Sequence, residues 1–516
     1  MNMRNIVWAD DEIDQLKPHI IFLEKKGYNV IPVNSGEDAI EICKKESIDL
    51  LLLDEMMTGL DGLSTISILQ KSSPDIPIIM ITKNEEEWLM EEAIGSHIAN
   101  YLTKPVNPSQ VLIACKNVLD NKKIITDKTL KDFIKYFNEL SNAEVHSMDD
   151  WYNLYNNLCN WEIRLDDIND KNILNMFISQ KEILNQKFNK YILENYKGWI
   201  NDNCLNPILS NNIFHSTLKP ILENNEQLIF IIIDCLRLDQ WKVISELLYS
   251  DFNIEEGYHL SIIPTATPFA RNSIFSGLLP NDLKNKYPDI WKKMFYENKL
   301  NGFEEELMNK QLLQYKMQNL SHKYVKISDF KSGKKFFNKI NDYKNTNILS
   351  IVVNFVDILG HSRSESKVLS ELIPNDSAYR QAIYNWFNNS WLIDAINTIK
   401  SWDKANIVIT SDHGNTNINK PLMVKGDQTT SQGIRYKYGR NLRVDTKYAM
   451  KITNPEEYNL PMFDINTEYI IAKGNNYFVY SNEYHKYVNI YKDTFQHGGI
   501  SMDEMIVPLV KLNAKK

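Results

Sequence analysis

The chain has 516 residues, 43% hydrophobic and 24% charged, with a formal net charge of −8; this excludes global disorder and argues against a dominant nucleic-acid-binding surface. Its length exceeds one ordinary core and predicts several domains. The cysteines, Cys43, Cys115, Cys159, Cys204 and Cys235, never fall in C-x-x-C spacing, so neither a disulfide framework nor a thiolate zinc site is expected and a reducing, cytoplasmic setting fits. No leader pattern opens the chain and no apolar run approaches a bilayer span, so no direct membrane insertion is expected.

Over residues 1–121, β-rich runs at Asn5–Trp8, Tyr28–Val33, Ile48–Leu53, Ile76–Ile81 and Asn100–Leu102 alternate with helical patterns. The alternation predicts a five-stranded parallel sheet with helices on both faces. Asp10 and Asp11 follow the first strand, Asp54 ends the third, Thr82 ends the fourth, and Lys104-Pro105 follows the fifth. Clustered carboxylates suit magnesium, a hard cation that also shields an incoming phosphoryl group. Asp54 is then the nucleophile, with Thr82 and Lys104 placed to bind the phosphoryl oxygens. In this order the positions resemble the receiver domain of two-component response regulators. That resemblance implies a flavodoxin-like fold, phosphorylation of Asp54 by a sensor histidine kinase, a Mg2+ site at Asp10, Asp11, Asp54 and Met56, and Tyr101 as an aromatic switch residue. Thr58 stands where such domains usually carry proline.

Across 122–215, glycine and proline vanish until Gly198 and Pro207, and apolar residues recur at three- and four-residue spacings, as in Trp151, Leu154, Tyr155 and Leu158. The pattern predicts amphipathic helices in a small bundle acting as a linker, with the aromatic stripes serving as core rather than as a ligand platform.

In 216–516, the apolar run Leu228–Ile233 ends in Asp234, and Pro264–Gly277 sets a hydroxyl just before an apparent helix. The run Leu349–Phe355 leads into Asp357 and His361, Ile407–Thr410 leads into Asp412 and His413, and His497-Gly498-Gly499 comes near the end. All are expected as strand-end loops of one sheet, converging at its carboxyl edge. Three aspartates, three histidines and a threonine without thiolate suit two Zn2+ ions, with Mn2+ the alternative, in an in-line phosphoryl transfer. Arg237 and Arg271 either clamp a phosphodiester or pair with surface carboxylates. The stretch Lys425, Arg435, Lys437, Arg440 and Arg443 is either a solvated loop or a guide for a polyanion. The other histidines, His19, His97, His146, His215, His259, His322 and His485, are expected to be ordinary surface or core residues.

These motifs, Pro-x-x-Thr at 264–267, Asp-x-x-Gly-His at 357–361, Asp-His-Gly at 412–414 and the terminal His497–Pro508 segment, resemble the PglZ-type branch of the alkaline phosphatase superfamily. The resemblance implies an α/β sandwich in which Asp357, His361 and His497 hold one metal and Asp234, Thr267, Asp412 and His413 the other. Thr267 would attack phosphorus, with Thr265 its rival. As a whole, receiver, helical linker and PglZ-type domain resemble the PorX-type response regulators. That resemblance implies phosphodiesterase activity on cyclic and linear oligonucleotides and a role in type IX secretion and gliding, with a sigma factor and secretion components as partners. It also implies a homodimer on phosphorylation, paired through the fourth helix, fifth strand and fifth helix of the receiver. The alternatives are a non-enzymatic regulator acting by protein binding and a phosphomonoesterase.

Overall fold

The structure is a computed structural model that describes residues 3–72, 76–83, 98–141, 144–166, 168, 170–201, 207–297, 299–427, 431, 433–482 and 484–515. It divides into two compact units, Met1–Ala143 and Glu144–Lys516. The expected fourth receiver helix, His97 and Cys204 lie outside the described residues.

In the first unit, β1 (Arg4–Ala9), β2 (Tyr28–Val33), β3 (Leu50–Asp54), β4 (Ile78–Thr82) and β5 (Ile98–Thr103) form one parallel sheet in the order β2-β1-β3-β4-β5. Strands β3 and β4 are buried along their whole length, which is why they read as continuous apolar runs instead of alternating ones. Successive residues serve opposite faces. Trp8, Leu50, Leu52 and Ile81 pack with Val111 of the helix Pro108–Leu119, whereas Val7, Leu51, Leu53 and Met80 pack with Ala39 and Ile66 of two other helices. This is the expected flavodoxin-like architecture, with Asp54 delivered at the carboxyl end of the central strand.

The helices expected in the linker are shared between the units. Asn121–Ser141 falls in the first, while Met148–Leu165 and Lys171–Asn201 fall in the second. The helix at 148 starts on a reciprocal cap: Ser147 Oγ accepts from the Asp150 amide at 3.1 Å and the Asp150 carboxylate accepts from the Ser147 amide at 2.9 Å, satisfying amides that a helix leaves unbonded. Its stripe, Trp151, Tyr155 and Leu158, is buried with Phe188 of the longer helix, and Trp151 and Phe188 meet edge to face at 5.3 Å. The aromatic stripes are core.

The rest of the second unit is built on a six-stranded mixed sheet in the order β7-β18-β10-β6-β9-β8, from β6 (Gln227–Ile233), β7 (Phe252–Leu260), β8 (His322–Ile327), β9 (Ile348–Val353), β10 (Ala405–Thr410) and, closing the chain, β18 (Ile506–Ala514). Strands β10, β6, β9 and β8 run parallel, and β18 runs antiparallel to β10 and β7. Between β10 and β18 lie β11 (Thr416–Ile418), β12 (Lys420–Val424), β13 (Tyr436–Gly439), β14 (Ala449–Ile452), β15 (Glu468–Ala472), β16 (Asn476–Tyr480) and β17 (Thr494–Gln496), which pair as β11-β17, β12-β16 and β13-β15-β14. Because β6, β9 and β10 are parallel neighbours, their carboxyl ends share one edge, where open α/β sheets hold ligands.

The expectation that every motif sits in a strand-end loop of this sheet needs two corrections. Asp357 and His361 lie on the helix Phe355–Glu365, where their four-residue spacing puts them on one face. His497 follows β17, which pairs with β11 and not with the main sheet. Among the described residues, no helix is long and apolar enough to cross a membrane.

Candidate metal centre

Asp234 emerges directly after β6, and its amide donates to Val353 O of β9 at 2.9 Å. Ser411, the first residue after β10, ties the neighbouring loops together, accepting from the Leu236 amide at 2.9 Å and donating to His413 O at 2.7 Å. Asp412 Oδ1 accepts from the amides of Cys235 at 3.3 Å and His413 at 3.2 Å. Backbone bonding therefore fixes the Asp412 carboxylate and anchors the main chain at Asp234 before any ligand arrives.

Two groups of possible ligands result. In Asp234, Asp412 and His413 one ligand atom from each falls within 4.8 Å of the others, and the same holds for Asp357, His361 and His497. The groups meet where the His413 and His497 rings stack, with centroids 4.2 Å apart. Their tautomers follow from their neighbours: Nδ1 of His413 lies 3.1 Å from Gly414 O and Nδ1 of His497 lies 3.3 Å from Thr265 O. A carbonyl can only accept, so each Nδ1 carries the proton and each Nε2 presents a lone pair. Burial lowers His413, and burial with the nearby His413 charge lowers His497 to about 4; both imidazoles are neutral at physiological pH, the form a metal needs.

The carboxylates show the complementary effect. Burial pushes Asp234 up to about 7 despite the opposing Arg271 charge. Burial also opposes ionisation of Asp357, but the His361 hydrogen bond and the charges that His497, His361 and His413 carry once protonated in acid outweigh it and hold Asp357 well below the usual range. Asp234 Oδ1 is buried without a hydrogen-bond partner, a state that is costly unless a cation completes it. Carboxylate oxygens and imidazole nitrogens are a donor set suited to zinc or manganese, so the residues present fit a metal pair.

Thr267 is the first residue of the helix Thr267–Ser276. Its Oγ1 lies 3.0 Å from His413 Nε2. The rival hydroxyl is committed elsewhere, since Thr265 Oγ1 donates to Gly499 O at 2.7 Å and accepts from the Gly498 amide at 3.2 Å. Thr265 thus shapes the loop that carries His497.

Both arginines singled out from sequence are buried and pair with carboxylates, all of them interior except the half-buried Asp376. Arg271 is fully buried and bridges Asp234 and Asp412, with Nη2 3.0 Å from Asp412 Oδ2. Arg237 bonds Asp239 at 2.6 Å and Asp376 at 2.6 Å. Asp239 also binds Arg380 at 2.8 Å, and Arg380 reaches Glu162 at 2.9 Å and Asp166 at 2.6 Å on the helix Met148–Leu165 and its end. Lys181 of the next helix closes the chain of charges on Glu162 and Asp503, each at 2.9 Å. Arg237 is engaged on both sides of its guanidinium, whereas Arg271, although buried, keeps Nη1 without a hydrogen-bond partner, 4.0 Å from Glu304.

The basic stretch divides, with Lys425, Arg440 and Arg443 exposed as a solvated loop requires and Arg435 and Lys437 buried. Arg435 is buried against Glu504, which also accepts from the Gly499 amide at 2.7 Å and Ser501 Oγ at 2.7 Å, and Arg440 pairs with Asp464 at 2.8 Å. A Cβ on Gly499 would lie 2.2 Å from Arg435 Nη2, so only glycine permits this ion pair to brace the turn after His497. Glu504 and Asp239 are contributors that sequence reasoning missed. The signal available for Glu504 was a carboxylate flanked by Met502 and Met505 in an otherwise apolar segment.

In the receiver, Asp10, Asp11 and Asp54 bring carboxylate oxygens within 4.8 Å of one another. Lys104 Nζ lies 2.8 Å from Asp10 and 3.0 Å from Asp54. Burial raises Asp54 against the pull of Lys104. Thr82 is buried with its hydroxyl bonded to Glu55, Tyr101 is half-buried, and the Met56 side chain is exposed. Thr58, in the usual proline position, donates its amide and hydroxyl to Asp11 at 3.2 and 2.9 Å.

The receiver sheet and the buried acid and imidazole edge of the mixed sheet define the class: a response regulator with an alkaline phosphatase-like output domain. The family profile described as "BREX system PglZ alkaline phosphatase-like domain" matches residues 213–512, "response regulator receiver domain" matches 6–116 and "PorX response regulator linker domain" matches 123–200. The chain belongs to the PglZ alkaline phosphatase-like family, in the PorX-type arrangement of receiver, linker and output domain. Similar proteins include the alkaline phosphatase synthesis transcriptional regulatory protein PhoP of Bacillus subtilis (32% identical over 123 residues, 23% of this chain and 50% of that protein). The response regulator UvrY of Escherichia coli is 30% identical over 125 residues, 24% of this chain and 57% of UvrY. The cyclic di-GMP phosphodiesterase response regulator RpfG of Xanthomonas campestris is 34% identical over 119 residues, 22% of this chain and 32% of RpfG. The chain thus spans about half the length of the first two. Among solved structures, a CheY-like receiver from Methanospirillum hungatei is 24% identical, covering 23% of this chain and 96% of its own, with a TM-score of 0.23. Alkaline phosphatase-like domains are metal-dependent, and receiver domains bind Mg2+ and are phosphorylated by sensor kinases.

Lys437, part of the basic stretch, is 2% exposed, with its ammonium 4.4 Å from the Tyr480 ring centroid. Burial lowers it from 10.5 to about 8. A depressed folded-state value means that its stability contribution is complete only above the unfolded value and is lost as pH falls through 8. Lys437→Met should therefore raise the unfolding free energy at pH 7 by roughly 2 kcal/mol, with the gain shrinking between pH 8 and 10.5. Denaturant unfolding across that range checks it; a loss of stability at pH 7 would contradict it.

Proposed function

We propose that this chain is a phosphorylation-controlled, zinc-dependent phosphodiesterase in which Thr267 is the nucleophile. The observation that carries the reading is the position of Thr267 Oγ1, 3.0 Å from His413 Nε2, at the meeting point of the two acid and imidazole groups. Asp357, His361 and His497 would hold one ion, and Asp234, Thr267, Asp412 and His413 the other. Bound there, a pair of divalent ions supplies nucleophile activation and leaving-oxygen stabilisation.

The chain's own residues do the remaining work. The helix start at Thr267 aims backbone amides at an incoming phosphate. The backbone bonds to Asp412 and Ser411 hold the nucleophile's surroundings rigid, so little reorganisation accompanies attack. The Nδ1 partners of His413 and His497 keep both Nε2 lone pairs directed inward.

The substrates in this reading are cyclic and linear oligonucleotides. Support comes from the PorX-type arrangement and from RpfG, whose name pairs a response regulator with a cyclic di-GMP phosphodiesterase. The same arrangement supports a cytoplasmic regulator of type IX secretion and gliding, with a sigma factor and secretion components as partners. Phosphorylation of Asp54 drives homodimerisation by drawing Thr82 toward the phosphoryl group and burying Tyr101.

With zinc and a generic aryl phosphodiester, Thr267→Ala should reduce kcat by at least about 10³-fold. Equal rates would remove Thr267 as nucleophile. Activity against monoesters alone would favour a phosphomonoesterase, and no hydrolysis by either form would favour a non-enzymatic regulator acting through protein binding. Separately, beryllofluoride with Mg2+ should convert the full chain to dimer in light scattering, and Asp54→Asn should abolish the change; a mass that never moves would reject the switch.

A further inference from the structure

A cleft of about 470 Å³ in the second unit opens between the helix Lys171–Asn201 and the turn that joins β15 to β16, away from the seven residues of the candidate centre. Lys190, Lys420, Lys447 and Lys473 line it, against Glu182 as its one lining carboxylate. Lys420 is paired with Glu182 at 2.8 Å, and Lys190 lies 3.8 Å from Glu194. Lys473 and Lys447 have no carboxylate within ion-pair distance among the described residues. Lys473 is held in place by its ammonium donating to Thr446 O at 2.9 Å. Burial lowers its proton affinity against the weaker opposing charge of Asp445, as expected for a cation partly withdrawn from water.

A second observation is independent of the lysines. Asn189 lines the same cleft, is only 6% exposed, and its amide oxygen is buried without a hydrogen-bond partner. Buried amides without partners are rare because the lost hydration is not repaid. Across the cleft, a Cβ on Gly474, which has φ 56°, would lie 3.8 Å from Asn189 Nδ2. A methyl there would meet the amide at ordinary van der Waals distance, so the turn and the amide are neighbours.

We propose that this cleft binds a phosphate group, either free or as the monoester of a small molecule. Lys473 and Lys447 supply the counter-charge, and Asn189 bonds the phosphate hydroxyl or the part of the molecule that carries it. The volume falls within the range of small-molecule sites. The cleft also touches the loop after His497: the Gly474 amide donates to Ile500 O at 2.8 Å, and Asn185 Oδ1 accepts from the Met502 amide at 2.9 Å. Occupancy would therefore stiffen the segment that holds His497.

Hydrogen–deuterium exchange of the zinc-loaded full chain, titrated with inorganic phosphate and in parallel with 5′-AMP, tests this locally. Peptides covering 182–193 and 444–476 should gain protection, and Lys473→Gln should weaken the response roughly tenfold or more. Asn189→Leu, a substitution at a different wall, should weaken it as well, with an unchanged thermal midpoint in either variant verifying the fold. Tighter binding of 5′-AMP than of phosphate would identify a monoester as the occupant, and equal binding would identify free phosphate. No protection in these peptides with either probe, or protection that persists in Lys473→Gln, would overturn the proposal.

Discussion

Asp234 and Asp412 stand at the ends of adjacent parallel strands, both inside the protein, and two neighbouring carboxylates cannot stay ionised there without positive charge beside them. Arg271 supplies part of it by bridging their outer oxygens. The inner oxygen of Asp234 remains without a partner. Much of the second unit follows from this requirement: a helix that begins at Thr267 and carries Arg271 one turn later, backbone amides bonded to Asp412, and neutral imidazoles completing each group.

A second electrostatic system supports the first. The loop after Asp234 carries Arg237, whose charge is taken up by Asp239 and Asp376 and passed through Arg380, Glu162 and Lys181 to Asp503. This chain of buried ions connects the helices Met148–Leu165 and Lys171–Asn201 to the terminal segment that also bears Glu504. Removing one member would leave its partners charged and unpaired, which is far costlier than the net worth of the pairs. The helices of residues 148–201 are accordingly part of the output unit's architecture, which a bundle serving only as a spacer would not require.

Much of this was legible in the sequence because local pattern and tertiary role agree. Short, β-branched apolar runs such as Leu228–Ile233 read as doubly covered strands, and a carboxylate ending such a run then lies at a sheet edge. The division of the acid and imidazole residues into two groups came from the resemblance to PglZ-type phosphatases, carried across motif by motif. The limits are equally physical. The run before Asp357 hid a strand end at Val353 and a helix start at Phe355, since apolar residues serve both. The roles of Arg237, Arg271, Arg435 and Lys437 were misread because a basic residue announces charge but not burial. Their carboxylate partners are mostly distant in sequence, Glu504 69 residues from Arg435, Asp376 139 from Arg237 and Asp412 141 from Arg271, separations that no local pattern encodes. The choice between Thr265 and Thr267 rested on the motif; the structure adds that the Thr265 hydroxyl is already engaged by Gly498 and Gly499.

The central claim is that the two acid and imidazole groups each hold a metal ion. Anomalous diffraction at the zinc edge, from zinc-saturated crystals of the full chain, addresses it without reference to activity. The account predicts two peaks, one among Asp357, His361 and His497 and one among Asp234, Asp412, His413 and Thr267. Zinc-saturated crystals with no anomalous density at either group would contradict it.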